Sequence, residues 1–224
     1  MTGTLFGISV GPGDPELMTL KAVKLIRQCD IIAAPQTRDG KSLALSIARQ
    51  TVDLSDKMLV YLPFLMTDNK DKLSESHHHI ANQLLWHLKD GKNVGVLNLG
   101  DISVYSTFSY IAEIISSEGM NIEICAGVTS FCAAAAELKT PLVSGKEALT
   151  IIPGQNEEIN RLVFENGTKV IMKSGGKFES IKRLLAEKKQ VAFVENCGLE
   201  NQKISLSPDE NDTGHGYFTL IIVK

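Results

Sequence analysis

An apolar run that stops abruptly at a Gly-Asp turn most constrains the fold of this chain. Residues 94–99 carry no charge and predict a buried strand, and the residues from Tyr105 onward have the apolar spacing of a helix. The turn at Gly100 and Asp101 is therefore expected at the carboxyl end of a strand, where parallel α/β sheets bind ligands beside free helix N–H groups. Gly100 would let a ligand approach the backbone, and Asp101 could accept hydrogen bonds from it. The alternative is a tight turn in which Asp101 only caps the next helix.

The same order of strand, glycine turn and helix occurs twice more. The runs 5–10 and 121–125 predict strands, followed by turns at 11–15 and 126–130 and by helices that reach Gln28 and Leu138. Asp14 is expected as the N-cap of the first helix, with Pro15 at its first position. This first turn is not a dinucleotide-binding fingerprint, since Glu16 replaces the third glycine and Pro12 lacks an N–H. Together the units predict an α/β fold with a mostly parallel sheet flanked by helices.

The pattern changes beyond Ser144. Strands are predicted over 149–152, 168–173, 190–195, 203–206 and 216–223, with helices over 157–164 and 177–186. Because the last strands follow one another without helices, we expect an α+β arrangement with a mixed sheet. The sequence therefore predicts two domains, residues 1–143 and residues 144–224.

Composition excludes several classes of function. With 23 basic and 26 acidic residues, nothing indicates a nucleic-acid or membrane-surface binder, and no stretch is apolar enough to span a membrane. The first residues lack the pattern of a signal peptide, so we expect a cytoplasmic protein. Residues 77–79 are histidines that would splay around a helix, so no metal site is expected there. The cysteines lack CxxC spacing and predict reduced thiols: Cys29, Cys125, Cys132 and Cys197.

Four segments resemble the tetrapyrrole (corrin/porphyrin) methyltransferase family, which uses S-adenosylmethionine. They read GPGDPELMTLKA from Gly11, GDISVYSTFSY from Gly100, GVTSFCAAAA from Gly127 and VEN from Val194. The resemblance covers essentially the whole chain. The pair VYSTFSY and GVTSFCAAAA is similar to the branch that methylates the carbon-20 meso position of precorrin-2 or cobalt-factor II in cobalamin biosynthesis. This combination is more specific than any single glycine turn.

The resemblance implies a homodimer of two-domain chains, with the cofactor in the cleft between the domains. It implies that Pro12 lies under the trough for the tetrapyrrole substrate. The cofactor-binding residues that it implies are Gly100, Asp101, Val104, Thr129, Ser130, Met172 and Cys197. The chain departs from the family pattern at Ile102 and Ala126, where the family usually has proline, and at Cys197, where many relatives have glycine.

The chemistry of the residues agrees with methyl transfer. The methyl group of a sulfonium is already activated, so in-line approach matters more than a strong acid or base, and no Ser/His/Asp set, HExxH or P-loop is present. Tyr105 and Asp101 are the candidate catalytic acceptors of the displaced meso proton. Arg38 and Lys41, with Lys173 as a weaker option, are expected to bind the substrate carboxylates. The alternatives are a methylase acting on another corrin carbon or on uroporphyrinogen III, and a nucleotide-binding protein without turnover.

Overall fold

The structure, a computed structural model, describes residues 2–37, 39–186, 190–206 and 218–224. The chain divides into two compact units, Met1–Thr129 and Ser130–Lys224. Each unit contains a β-sheet with helices packed against it. Among the described helices, none has the length and apolar character needed to cross a membrane.

The first unit is a parallel α/β sheet whose strands run β3-β2-β4-β1-β5. In β1 and β4, Ser9 lies opposite Asn98, and in β1 and β5, Ile8 lies opposite Cys125, so the three strands end at one edge. Its elements are β1 (Thr4–Ser9), α1 (Leu20–Gln28), β2 (Ile31–Pro35), α2 (Leu43–Thr51), β3 (Met58–Leu62), α3 (Lys70–Lys89), β4 (Val94–Asn98), α4 (Phe108–Ser117) and β5 (Asn121–Cys125).

Helices cover both faces of this sheet, as near-continuous apolar strands require. Phe6 and Ile8 of β1 point into the core formed with α1 and α2, whereas Leu5 points into the core formed with α3 and α4. Gly7 shares the face of Leu5, and a Cβ there would lie 2.6 Å from the Ile102 side chain and 2.7 Å from the Phe108 ring. The segment that follows β4 is therefore packed directly on the sheet.

Two local predictions are wrong. Asp14 caps only a 3-10 turn at Pro15–Leu17, and α1 begins at Leu20 with the Thr19 hydroxyl accepting from the Ala22 N–H. Tyr105 does not begin a helix, since its φ of 50° lies in the left-handed region and α4 starts at Phe108. Asp101 is therefore not a helix cap, because the N-cap of α4 is Thr107.

The second unit holds a mixed sheet in the order β6-β7-β10-β8-β9, which confirms the predicted fold class. Strands β6 and β7 are parallel, while β10 is antiparallel to β7 and β8, and β9 to β8. Helix α5 contacts β10 and so belongs to this unit, whereas the sequence assigned residues 131–138 to the first domain. The elements are α5 (Ser130–Glu137), β6 (Leu149–Pro153), α6 (Ile159–Leu162), β7 (Thr168–Met172), α7 (Phe178–Leu184), β8 (Val191–Glu195), β9 (Lys203–Ser205) and β10 (Thr219–Val223).

Candidate active site

Three glycine turns meet at the carboxyl edge of the parallel sheet, after β1, β4 and β5. The Gly100 N–H donates to the Gly11 carbonyl at 2.7 Å, and the two residues form an isolated antiparallel bridge. Gly11 has a φ of 77° and Gly100 a φ of 72°, a region that L side chains rarely adopt. Glycine at both positions therefore adopts this conformation without the strain that a side chain would add.

Asp101 joins the second turn to the third. Its Oδ2 accepts from the Gly127 N–H at 2.7 Å, and its Oδ1 accepts from the Ser103 N–H at 2.8 Å and from the Ser103 hydroxyl. Burial alone would raise the pKa of this carboxyl, but the hydrogen bonds from Gly127 and Ser103 outweigh it and hold the pKa below its usual value. Asp101 is therefore a buried carboxylate whose oxygens already accept hydrogen bonds from two turns.

Ser9 and Gly127 complete the contact between the turns, although neither was among the predicted site residues. The buried Ser9 hydroxyl accepts from the Ile102 N–H at 2.9 Å. A Cβ at Gly127 would lie 2.4 Å from the Ser9 Cβ and 2.9 Å from the Gly100 carbonyl oxygen. The available sequence signals were a lone hydroxyl at the end of an apolar strand and a glycine after β5.

The segment between Asp101 and α4 is held by side-chain hydrogen bonds. The Val104 N–H donates to the Asp101 carbonyl at 3.2 Å, and the Ser106 hydroxyl donates to Asn98 Oδ1 at 2.7 Å while accepting from the Phe108 N–H at 3.1 Å. Tyr105 lies between these anchors in its left-handed conformation, and burial raises the pKa of its phenol. Its hydroxyl therefore keeps its proton at neutral pH and is suited to donating a hydrogen bond.

Thr129 and Ser130 lie directly after the third turn, Ser130 as the first residue of α5. The Thr129 Oγ1 is buried and has no hydrogen-bond partner among the residues that the structure describes. A buried hydroxyl without a partner is costly, so this atom calls for a polar ligand group. The observation fits a polar cofactor at this turn.

Met172 and Cys197 lie at strand ends within the second unit. Strands β7 and β8 are both antiparallel to β10 and so end at the same edge of their sheet, with Met172 closing β7 and Cys197 two residues beyond β8. Burial and the nearby Glu137 raise the pKa of the Cys197 thiol to about 11. The residue acts as a neutral buried side chain.

The predicted substrate residues are spread along the first unit. Pro12 is buried in the first turn, beside Gly11. Lys41 follows β2 and is highly exposed, with its Nζ 3.8 Å from Asp39 Oδ2. Arg38 lies outside the described residues. Within the described chain, no group of three or more His, Cys, Asp or Glu side chains is placed to hold a metal ion.

Comparison with known proteins gives one consistent family. Residues 4–208 match the family model of the tetrapyrrole (corrin/porphyrin) methylases. The chain is 32% identical to a probable cobalt-precorrin-2 C(20)-methyltransferase of Methanocaldococcus jannaschii, covering 98% of this chain and 95% of that protein. It is also 32% identical to the cobalt-precorrin-2 C(20)-methyltransferase of Salmonella typhimurium, covering 100% and 97%. The crystal structure of a cobalt precorrin-4 methyltransferase is similar with a TM-score of 0.80 at 19% identity, covering 98% and 94%.

Proposed function

The chain belongs to the tetrapyrrole (corrin/porphyrin) methylases, and from this premise we propose that it methylates carbon 20 of precorrin-2 or cobalt-factor II in cobalamin biosynthesis. It is an S-adenosylmethionine-dependent C-methyltransferase. S-adenosylmethionine supplies an activated methyl group: a carbon–carbon bond forms at the meso position, the sulfur–methyl bond breaks with its electron pair left on sulfur, and the meso proton is lost. The other product is S-adenosylhomocysteine.

The observation that carries this function is similarity over the whole chain to proteins named for carbon-20 methylation. Two such proteins are 32% identical to this chain, and a precorrin-2 C(20)-methyltransferase of a Sinorhizobium species is 29% identical across 99% of it. A uroporphyrinogen-III C-methyltransferase of Pseudomonas aeruginosa is only 25% identical, over 91%. Sequence identity to this chain is higher for the proteins named for carbon-20 methylation than for the uroporphyrinogen methylase, and this difference favours the carbon-20 branch.

The cofactor is assigned to the turns at Gly100 and Thr129, because these present backbone and hydroxyl groups at one sheet edge. The orphaned Thr129 Oγ1 supports this assignment. Asp101 fixes the distance between the two turns through the Gly127 N–H, and so orders the backbone that a polar ligand would meet. The remaining proposed cofactor contacts are Val104, Ser130, Met172 and Cys197.

Pro12, Arg38 and Lys41 are proposed to bind the substrate. Carboxylates that leave water need cationic or N–H partners, and several charge-assisted hydrogen bonds would each contribute about 1.5 to 3 kcal/mol. We expect Arg38→Ala to raise the KM for the tetrapyrrole several-fold and to leave the Kd for S-adenosylhomocysteine unchanged. A loss of cofactor affinity with an unchanged KM would move the substrate away from this loop.

Asp101 and Tyr105 are the two candidate proton acceptors, and the directions of their pKa shifts favour Asp101, the one that is ionised at neutral pH. A lowered pKa makes Asp101 a weak base, and a raised pKa keeps the Tyr105 phenol protonated. Tyr105→Phe is expected to lower kcat and to keep the rise of kcat with pH that accompanies deprotonation of the catalytic base. If Tyr105→Phe abolishes that rise, the Tyr105 phenolate is the base.

The proposed function is tested by incubating the protein with labelled S-adenosylmethionine and, separately, precorrin-2, cobalt-factor II and uroporphyrinogen III. The expected product carries one new methyl group, which NMR places at carbon 20. Methylation at another carbon would reassign the chain within the family. Binding of S-adenosylhomocysteine without transfer to any of the three would leave a nucleotide-binding protein.

We also propose that the protein is a homodimer that works in the cytoplasm. The support is the family resemblance. Light scattering at micromolar concentration should give twice the chain mass of 24.4 kDa. A mass of one chain would contradict the dimer and leave the reaction unaffected.

A further inference from the structure

A groove of about 500 Å³ opens in the first unit beside the amino end of α4. Its floor and walls come from the segment after Asp101, the first turns of α4 and the edge strand β5. The residues that matter for its chemistry are Ser103, Tyr105, Thr107, Ser109, Tyr110 and Ile124. All the residues that line it are uncharged, and hydroxyls alternate with apolar surface.

The groove is continuous with the candidate active site. Ser103 lines it and donates through both its N–H and its hydroxyl to the Asp101 carboxylate. Ile102 also lines it, and the Ile102 N–H is held by the Ser9 hydroxyl. A ligand in the groove would therefore rest on the segment that joins the Gly-Asp turn to α4.

Tyr110 of the groove lining stacks on His77, which lies outside the lining. Tyr110 is 57% exposed, yet its ring stacks on His77 of α3 with centroids 5.0 Å apart and planes inclined by 8°. Holding an exposed aromatic side chain in one orientation costs conformational entropy, and the stacking contact with His77 offsets that cost and orients the ring. At the near wall, Tyr105 is 40% exposed in its left-handed conformation, another arrangement that costs free energy.

We propose that this groove receives one acidic edge of the tetrapyrrole, with Tyr105 and Tyr110 against the pyrrole rings and His77 as the positioning residue that holds Tyr110. The inference rests on the proposed function. The volume suits a ring edge with its side chains rather than the whole macrocycle. The Ser103, Ser106 and Ser109 hydroxyls already donate to protein acceptors, so the Thr107 and Tyr110 hydroxyls are the ones that can donate to a carboxylate. The positive end of the α4 dipole lies at the same place and favours anions.

The groove also lies apart from the predicted basic loop. In the sheet order β3-β2-β4-β1-β5, Lys41 follows β2, whereas the groove is built on α4 and the edge strand β5. The substrate is thereby assigned a second contact region, which depends on aromatic rings and hydroxyls instead of cations. Variants in the two regions can be compared directly.

The test measures KM and kcat for the tetrapyrrole, its Kd by absorbance titration in the presence of S-adenosylhomocysteine, and the Kd of S-adenosylhomocysteine by calorimetry. Tyr110→Ala and His77→Ala should each raise the tetrapyrrole KM and Kd about threefold to tenfold. The Kd for S-adenosylhomocysteine and kcat should change less than twofold. His77→Phe should restore the wild-type KM, because it keeps a ring stacked on Tyr110.

Trp86→Ala is the matched control. Trp86 is an exposed aromatic of the same helix, and it contacts His87 edge-on, with ring centroids 4.8 Å apart, away from the groove lining. Its removal should leave both tetrapyrrole constants unchanged.

Wild-type constants in Tyr110→Ala, or failure of His77→Phe to rescue His77→Ala, would overturn the inference. A changed dimer mass in Tyr110→Ala with unchanged tetrapyrrole constants would instead make the groove an interface. Failure of the proposed function is distinguishable, since wild-type protein would then add no methyl group at carbon 20 of precorrin-2 or cobalt-factor II.

Discussion

The turns that follow the strands enter the left-handed backbone region in both sheets, but with different residues. After β1, β4 and β5, the turns touch one another, and glycine stands at the closest approaches, at Gly11, Gly100 and Gly127. In the second unit, β7 is followed by Lys173 with a φ of 53° and β8 by Asn196 with a φ of 51°. These turns also enter the left-handed region, but they keep a side chain.

The difference follows from strand direction. Parallel neighbours end at the same edge, so their turns are forced against each other, as at Gly11 and Gly100. A similar close approach occurs inside the mixed sheet: β6 and β7 are its parallel pair, and a Cβ at Gly154 after β6 would lie 2.4 Å from the Ser174 Cα after β7. Strand β8 has antiparallel neighbours on both sides, so the turn at Asn196 meets no parallel turn.

Gly127→Ala tests the crowded edge most severely. The new Cβ would overlap Ser9 and the Gly100 carbonyl, and overpacking of this kind costs about 3 kcal/mol when backbones must separate. We expect that loss in urea unfolding, together with at least tenfold weaker binding of S-adenosylhomocysteine by calorimetry.

Gly176→Ala is the control for this change, because a Cβ there meets nothing within 4 Å. It should alter stability by less than about 0.5 kcal/mol. Equal effects of the two substitutions would mean that the backbone around Gly127 can move apart at no cost. The turns of the first sheet would then be no more crowded than those of the second.

Asp101→Ala should cost about 2 kcal/mol, since it leaves the Gly127 and Ser103 N–H groups without their buried acceptor. It should also weaken S-adenosylhomocysteine binding, because the distance between the two turns is no longer fixed. Unchanged calorimetric affinity in a folded variant would separate the carboxylate from the cofactor site.

The pH dependence of this contribution has a definite sign. Because the folded pKa of Asp101 is depressed, its stabilisation is present above the unfolded value of about 3.9 and is lost as the pH falls through the folded pKa. The stability difference between wild type and Asp101→Asn should therefore be largest near neutral pH and shrink below about pH 4.

The architecture could be predicted because its signals are local and repeated. The apolar runs of β1, β4 and β5 and the glycines after them placed three turns at one edge of a parallel sheet, as the structure has them. The contacts between those turns could not be predicted. Ser9 holds the Ile102 N–H across 93 residues of sequence, and Asp101 reaches Gly127 across 26, and neither pairing leaves a pattern in the chain.

The start of α4 shows a second limit. The apolar spacing continues back to Tyr105, so periodicity alone extends the helix by a turn. What stops it is the left-handed conformation of Tyr105 and the Ser106 hydroxyl, which bonds Asn98 and the Phe108 N–H instead of leaving the backbone to continue the helix. Such tertiary competition for backbone groups decides helix ends, and one sequence does not display it.

The smallest effect on stability is expected at Asn196, in the turn after β8. Its N–H donates to the Phe218 carbonyl at 3.1 Å, and its carbonyl accepts from the Leu199 N–H at 3.0 Å. Any residue that can adopt the same backbone conformation keeps both hydrogen bonds. Asparagine tolerates the left-handed region, so Asn196→Gly should change stability by less than about 0.5 kcal/mol, whereas Asn196→Ala should lose about 1 kcal/mol. Urea unfolding of the two variants beside wild type measures both values. If Asn196→Gly destabilises as much as Asn196→Ala, the side chain rather than the backbone conformation matters there. The turn after β8 would then depend on side-chain contacts, as the turns after β4 and β5 do through the hydrogen bond between Asp101 and Gly127.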